Sequence, residues 1–160
     1  MCPAPLTSYT NLVTVTTSAS TPTYAAGDQI GEIQHIPRVG RENGAGSILQ
    51  SVSVVDTGGV NAELDIFFFN KAPGLSSTDN SSFAMQDSDT FSCLGYVNVS
   101  GTDYKSYGSG SIACIKSPGL LLTPITGSQD CFSVAVIRTT SVWTSTLSLS
   151  LNFQYNLLQD

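Results

Sequence analysis

Toward the end of the chain, apolar and polar side chains alternate without a break. Leu147, Leu149, Leu151, Phe153 and Tyr155 fall on one side, and Thr146, Ser148, Ser150, Asn152 and Gln154 on the other. A period of two marks a strand with one face in a core, because successive side chains on an extended backbone point in opposite directions. Shorter runs of the same kind cover residues 11–17, 30–36, 47–56, 94–99, 112–116, 120–122 and 131–138. Turn formers separate them, among them Gly27-Asp28, Asp56-Thr57-Gly58-Gly59, Ala72-Pro73-Gly74 and Ser117-Pro118-Gly119. Nowhere does a 3.6-residue period persist, so the pattern predicts about eight to ten short strands. The fold class that follows is all-β: an antiparallel two-sheet sandwich, jelly-roll-like, with at most one short helical turn.

The strand at 63–69 differs from the others. Leu64, Ile66 and Phe68 share one face, while Glu63, Asp65, Phe67 and Phe69 share the other. Aromatic rings on both faces predict a central strand, covered on one side by a second sheet. Its other side is covered by a loop of the same chain or by a neighbouring subunit, which makes Phe67 and Phe69 candidate contact residues. The acidic segment that follows carries Asp79, Asp87 and Asp89. Calcium takes six to eight oxygen ligands, and a D-x-D pair without the rest of a loop motif supplies too few. The favoured use of Asp87 is as the N-cap of one short helical turn.

Three further segments carry candidate contacts. Residues 1–10, with Pro3 and Pro5 and no apolar periodicity, read as an extended N-terminal arm, either a loose terminus or a strap on a neighbour; residues 11–160 read as a single domain. The 38–46 loop concentrates Arg38, Arg41 and Glu42 among three glycines. It leads into a β pattern and not a helix, so no helix N-terminus is present to receive a phosphate, and a mobile charged loop at a subunit contact is the reading adopted. The polar stretch 100–110 holds Tyr104 and Tyr107, and Trp143 lies in a polar linker before the last strand. Tyrosines in a Gly/Ser loop serve either as a plain connection or as a contact site for sugar or protein.

Composition narrows the function classes. Charged residues are 11% of the chain and the formal net charge is −6, with six Lys and Arg in total. Nucleic-acid binding and attachment to an anionic membrane both need a basic footprint that is missing. At 160 residues the chain is long enough to bury roughly two-thirds of its unfolded surface without a disulfide or metal. The four cysteines, Cys2, Cys93, Cys114 and Cys131, have neither zinc nor redox spacing, and the N-terminus has no basic or apolar leader region. Free thiols in a reducing compartment are expected, and the sequons at Asn80 and Asn98 are incidental. The lone histidine, His35, has no nucleophile motif or ligand cluster around it, so no catalysis and no cofactor are expected.

In order along the chain come Tyr24 with Gly27-Asp28-Gln29-Ile30-Gly31, the run 46–52, the run 62–69, Asp79-Asn80, Asp87-Ser88-Asp89, and Gly127 with 131–138. This succession resembles a family of small β-sandwich structural proteins from tailed-bacteriophage virions. The resemblance implies a capsid decoration or cement protein, made in the host cytoplasm and assembled on the virion. It also implies a homotrimer with the major capsid protein as partner. Arg38, Arg41, Glu42, Phe67, Phe69, Pro3 and Pro5 are then the candidate capsid or subunit contacts. Arg41-Glu42-Asn43 and the Tyr104/Tyr107 stretch depart from the family pattern. Two alternatives stay open: a fibre or tail module binding a receptor glycan through Tyr104, Tyr107 and Trp143, and a low-copy head–tail connector component.

Overall fold

The structure, a computed structural model, describes residues 9–18, 23–142 and 150–159. The strands among them are β1 (Tyr9–Ser18), β2 (Thr23–Tyr24), β3 (Gln29–Ile36), β4 (Ser47–Asp56), β5 (Leu64–Phe69) and β6 (Cys93–Val99), followed by β7 (Tyr104–Tyr107), β8 (Gly110–Lys116), β9 (Leu121–Leu122), β10 (Cys131–Ile137), β11 (Ser141–Val142) and β12 (Ser150–Gln159). One helical turn, α1 (Asp87–Thr90), and one 3-10 turn (Gly101–Asp103) complete the described elements.

All the strand pairings are antiparallel. One sheet runs β1-β12-β4-β8-β7 with β9 added to β4, a second runs β3-β10-β5-β6, and β2 pairs with β11 in a separate two-stranded ribbon. The pairs β1–β12, β3–β10, β4–β8 and β5–β6 are nested around the 70–92 segment, as though one long hairpin had been wound around a core. That winding is the jelly roll. The all-β expectation is met.

The two sheets face each other across a shared apolar layer. Leu49, Val52, Val54, Leu151, Phe153 and Leu157 from the first sheet bury against Ile30, Ile36, Leu64, Ile66, Phe68 and Ala135 from the second. Phe68 meets Tyr155 edge-on at a centroid distance of 5.4 Å, the arrangement the ring quadrupoles favour. Tyr155 would bury a hydroxyl in that layer, so it needs partners. It finds them in Gln34 Oε1 at 2.9 Å and Ser133 Oγ at 3.0 Å, both on the opposite sheet. Burial holds the Tyr155 phenol well above its ordinary pKa range, with the Ser133 bond acting in the opposite direction. The tyrosine is therefore a neutral peg between the sheets.

As its alternation predicts, β5 lies inside its sheet, between β10 and β6. Its outer face carries Phe67 and Phe69, which join Val134, Val136, Phe132, Phe83 and Met85 in a second apolar cluster. The 70–92 segment supplies the cover: Phe83 stacks on Phe67 at 5.0 Å. Hydrogen bonds hold this cover down. Asp79 Oδ1 accepts from Tyr24 Oη and Gly31 N, and Phe83 N donates to the Gly27 carbonyl. Asp89 Oδ1 accepts from Gly74 N.

Several local expectations need correction. The N-cap of α1 is Gln86, in a capping box with Asp89, and Asp87 is the first helical residue. Asp89 is buried and Asp87 exposed, so the acid that closes the box and ties Gly74 is Asp89 and not the expected Asp87. β1 already includes Tyr9 and Thr10, expected in the arm, because the β12 register continues to Gln159. The 100–110 stretch is not a plain loop but a 3-10 turn and the strand β7, which pairs with β8. Pro3, Pro5, Trp143, Leu147 and Leu149 lie outside the described residues.

Candidate functional site

The charged 38–46 loop joins β3 to β4 at one end of the sandwich. Glycine and charge content suggested mobility; the structure shows the loop tied down from both sides. Val39, a fully buried anchor, and Gly40 both donate their N–H to the Gln129 carbonyl, and Gly44 N donates to Ser128 O at 2.8 Å. Gln159, at the end of β12, donates from Nε2 to the Arg38 and Val39 carbonyls. Gly40 is required at its position, since a Cβ there would lie 1.9 Å from the Ala45 carbonyl oxygen. The loop is thus a compact, stapled turn whose tip displays Arg41 and Glu42 to solvent.

Asp130 sits at the root of this staple. Its Oδ1 accepts the Arg38 N–H at 3.0 Å and its Oδ2 meets His35 Nε2 at 2.9 Å. The backbone bond from Arg38, then the His35 contact, hold the Asp130 carboxyl below its usual pKa. A depressed folded pKa means a contribution to stability that is present above the unfolded value of about 3.9 and lost as pH falls through the folded value. About a third of the side chain is exposed, so solvent screening keeps the effect small. Asp130→Asn is expected to flatten the acid limb of the stability-versus-pH curve below about pH 4. Urea unfolding at pH 3 and pH 7 measures it, and equal losses at both pH values would remove the pair from the account.

Beside the loop, one end of the six-stranded sheet and the adjoining 123–130 segment expose an apolar patch. Ile48 is 44% exposed, Leu121 58% and Ile125 47%. Gly46, Ser47, Ile48, Leu121 and Leu158 line an open groove of about 120 Å³. Pairing explains the groove: Ile48 opposes Leu158 on one side and Leu121 on the other, so three large side chains from adjacent strands stand in one row. Local pattern did not single these residues out, because β9 and the 123–130 segment reach the loop only through the tertiary fold.

The other candidates are distributed away from this end. Phe69 is fully buried and Phe67 is partly buried, stacked under Phe83 with Tyr96 beside it, so the chain itself covers Phe69 fully and Phe67 in part. Phe69 therefore presents no surface to a partner. Tyr104 is also buried, donating its hydroxyl to the Ala62 carbonyl at 2.8 Å. Burial, followed by the charges of Asp56 and Asp103, raises its pKa far above the ordinary range. Tyr107 is half exposed, so the two rings do not form a paired contact surface. Exposed aromatics that sequence reasoning passed over are Phe91, 91% exposed after α1, and Tyr96 on β6.

Among the described residues no group of three or more His, Cys, Asp or Glu is placed to hold a metal ion. Asp79 and Asp89 instead accept the hydrogen bonds that hold the 70–92 cover. The described cysteines Cys93, Cys114 and Cys131 are free thiols. Burial, with the Asp130 charge adding to it, pushes the Cys131 thiol up to about 12, which leaves it in the unreactive protonated form at neutral pH. No protein-family model, curated protein or solved structure matches the chain.

Proposed function

We propose that the chain is a non-enzymatic structural protein of a tailed-phage virion that decorates and stabilises the capsid shell, with the major capsid protein as its partner. The class comes from the ordered sequence resemblance. The observation that carries it is the presentation of Arg41, Glu42 and Ile125 on a backbone stapled from both sides. A preorganised loop loses little conformational entropy when it docks, as a permanent contact requires. A sparsely charged, hydroxyl-rich surface supports the same reading, since fewer ions must be desolvated at the interface. The jelly roll adds a fold-level analogy, because viral coat domains and lectins both use it. The glycan-binding alternative has less support, since Tyr104 is occupied inside the domain.

The deciding experiment is the copy number of this chain in purified particles, by quantitative mass spectrometry against the shell protein. A count in the hundreds, at parity with the shell subunit or a simple fraction of it, is expected. About a dozen copies would indicate a connector, tail or fibre component, and absence from the particle would sink the proposal. The double variant Arg41→Ala/Glu42→Ala is expected to lower occupancy on the shell while leaving the fold intact. Unchanged occupancy would move the contact away from this loop.

A further inference from the structure

The groove lined by Gly46, Ser47, Ile48, Leu121 and Leu158 leaves large apolar side chains facing solvent with no charged residue in its wall. An occupant must therefore be slim, uncharged and apolar. We infer that this groove is the seat of residues 3–6 from a second copy of the same chain.

Two features point to that occupant. The first is chemistry: residues 1–8 read Met-Cys-Pro-Ala-Pro-Leu-Thr-Ser, with no charged side chain and with Pro3, Pro5 and Leu6 as apolar anchors. Proline fixes its own φ and holds the residue before it extended, so a Pro-Ala-Pro-Leu run favours a polyproline II path. Such a segment needs no backbone partner and pays little ordering entropy on entering an apolar groove. The second is where the described chain begins. Tyr9 opposes Gln159, and Thr10 opposes Leu158, so the arm leaves β1 in the same row that continues through Leu158 and Ile48 to Leu121.

Direction then selects between the chain's own groove and a neighbour's. β4 lies two strand spacings from β1, about 10 Å sideways. Reaching it within one molecule requires a full change of direction between Leu6 and Tyr9. At about 3.1 Å per residue an extended arm has a reach of roughly 19 Å from Tyr9 back to Pro3. Such a reach along the strand direction is enough to seat Pro3 on another molecule. A contact of arm on groove is heterologous, with each copy giving one arm and receiving one, and it closes into a small ring when the rotation allows. This contact between copies goes beyond attachment to a shell and operates in its absence.

Sedimentation equilibrium of the purified full chain, without particles, tests the inference. The wild type is expected at a multiple of its 16.8 kDa protomer mass, and Leu121→Asp and Leu6→Asp are each expected to give the protomer alone at the same concentration. Leu121 is mostly exposed, so the charge does not threaten the fold, and Tyr107→Asp, on β7, is expected to leave the assembly intact. Leu6→Cys combined with Leu121→Cys, in a chain also carrying Cys2→Ser and Cys114→Ser, is expected to yield disulfide-linked multimers on oxidation. A monomeric wild type, an assembly that survives Leu121→Asp, or a disulfide formed only within one chain would each overturn it.

Discussion

Asp56→Ala is expected to destabilise the protein by about 4 kcal/mol, at the top of the usual range for a single substitution. Asp56 ends β4 and is 1% exposed. Its Oδ1 accepts the N–H groups of Gly58 and Gly59, at 2.9 and 3.1 Å, and its Oδ2 those of Val60 and Asn61, at 2.8 and 3.0 Å. One side chain thus organises the whole turn between the two sheets. Hydrogen bonds to a charged acceptor contribute about 1.5–3 kcal/mol each, and water can re-enter a turn to recover part of the loss. Asn61 is held at φ 60° and Gly59 packs where a Cβ would lie 2.6 Å from the Ser109 carbonyl, so the turn cannot relax freely. Asp56→Asn keeps one acceptor oxygen and is expected to lose about half as much. Urea unfolding with an unchanged m-value measures both. A loss below about 1 kcal/mol for alanine would show that water replaces the carboxylate.

Phe68→Ala is expected to cost about 4 kcal/mol through the cavity it leaves between the sheets. Phe68 is fully buried and its ring meets Tyr155, which in turn is bonded to Gln34 and Ser133. Nothing on the rigid strands around it can collapse into the gap. For a domain of this size the loss corresponds to roughly 10 °C in Tm. Phe67→Ala, one residue away but under the 70–92 cover, is expected to cost only about half as much, because that segment can settle onto the sheet. Equal costs for the two would mean that the cover is as rigid as the inter-sheet layer.

The sequence by itself determined which faces are buried. Leu64, Ile66 and Phe68 fell on the inner face of β5 and Phe67 and Phe69 on its outer face, because the pleat leaves side chains no other choice. Leu151, Phe153 and Tyr155 followed for the same reason, as did the all-β class, since both are properties of short stretches. Within a stretch, one bulge was enough to break the reading. At β6 the register shift opposite Phe68 and Phe69 turns Leu94 toward the main core, away from the side that alternation gave it with Tyr96.

What only the tertiary structure decided depends on residues far apart in the chain. His35 meets Asp130, Gln159 caps the 38–46 loop, and Ile48 lies between Leu121 and Leu158, because the jelly roll nests its first strands against its last. Side-chain alternation specifies a face but carries no information about which strand lies alongside. The charged loop therefore looked mobile in isolation, and Tyr104 looked like surface. The partners that bury the one and staple the other arrive from 42 and about 120 residues away.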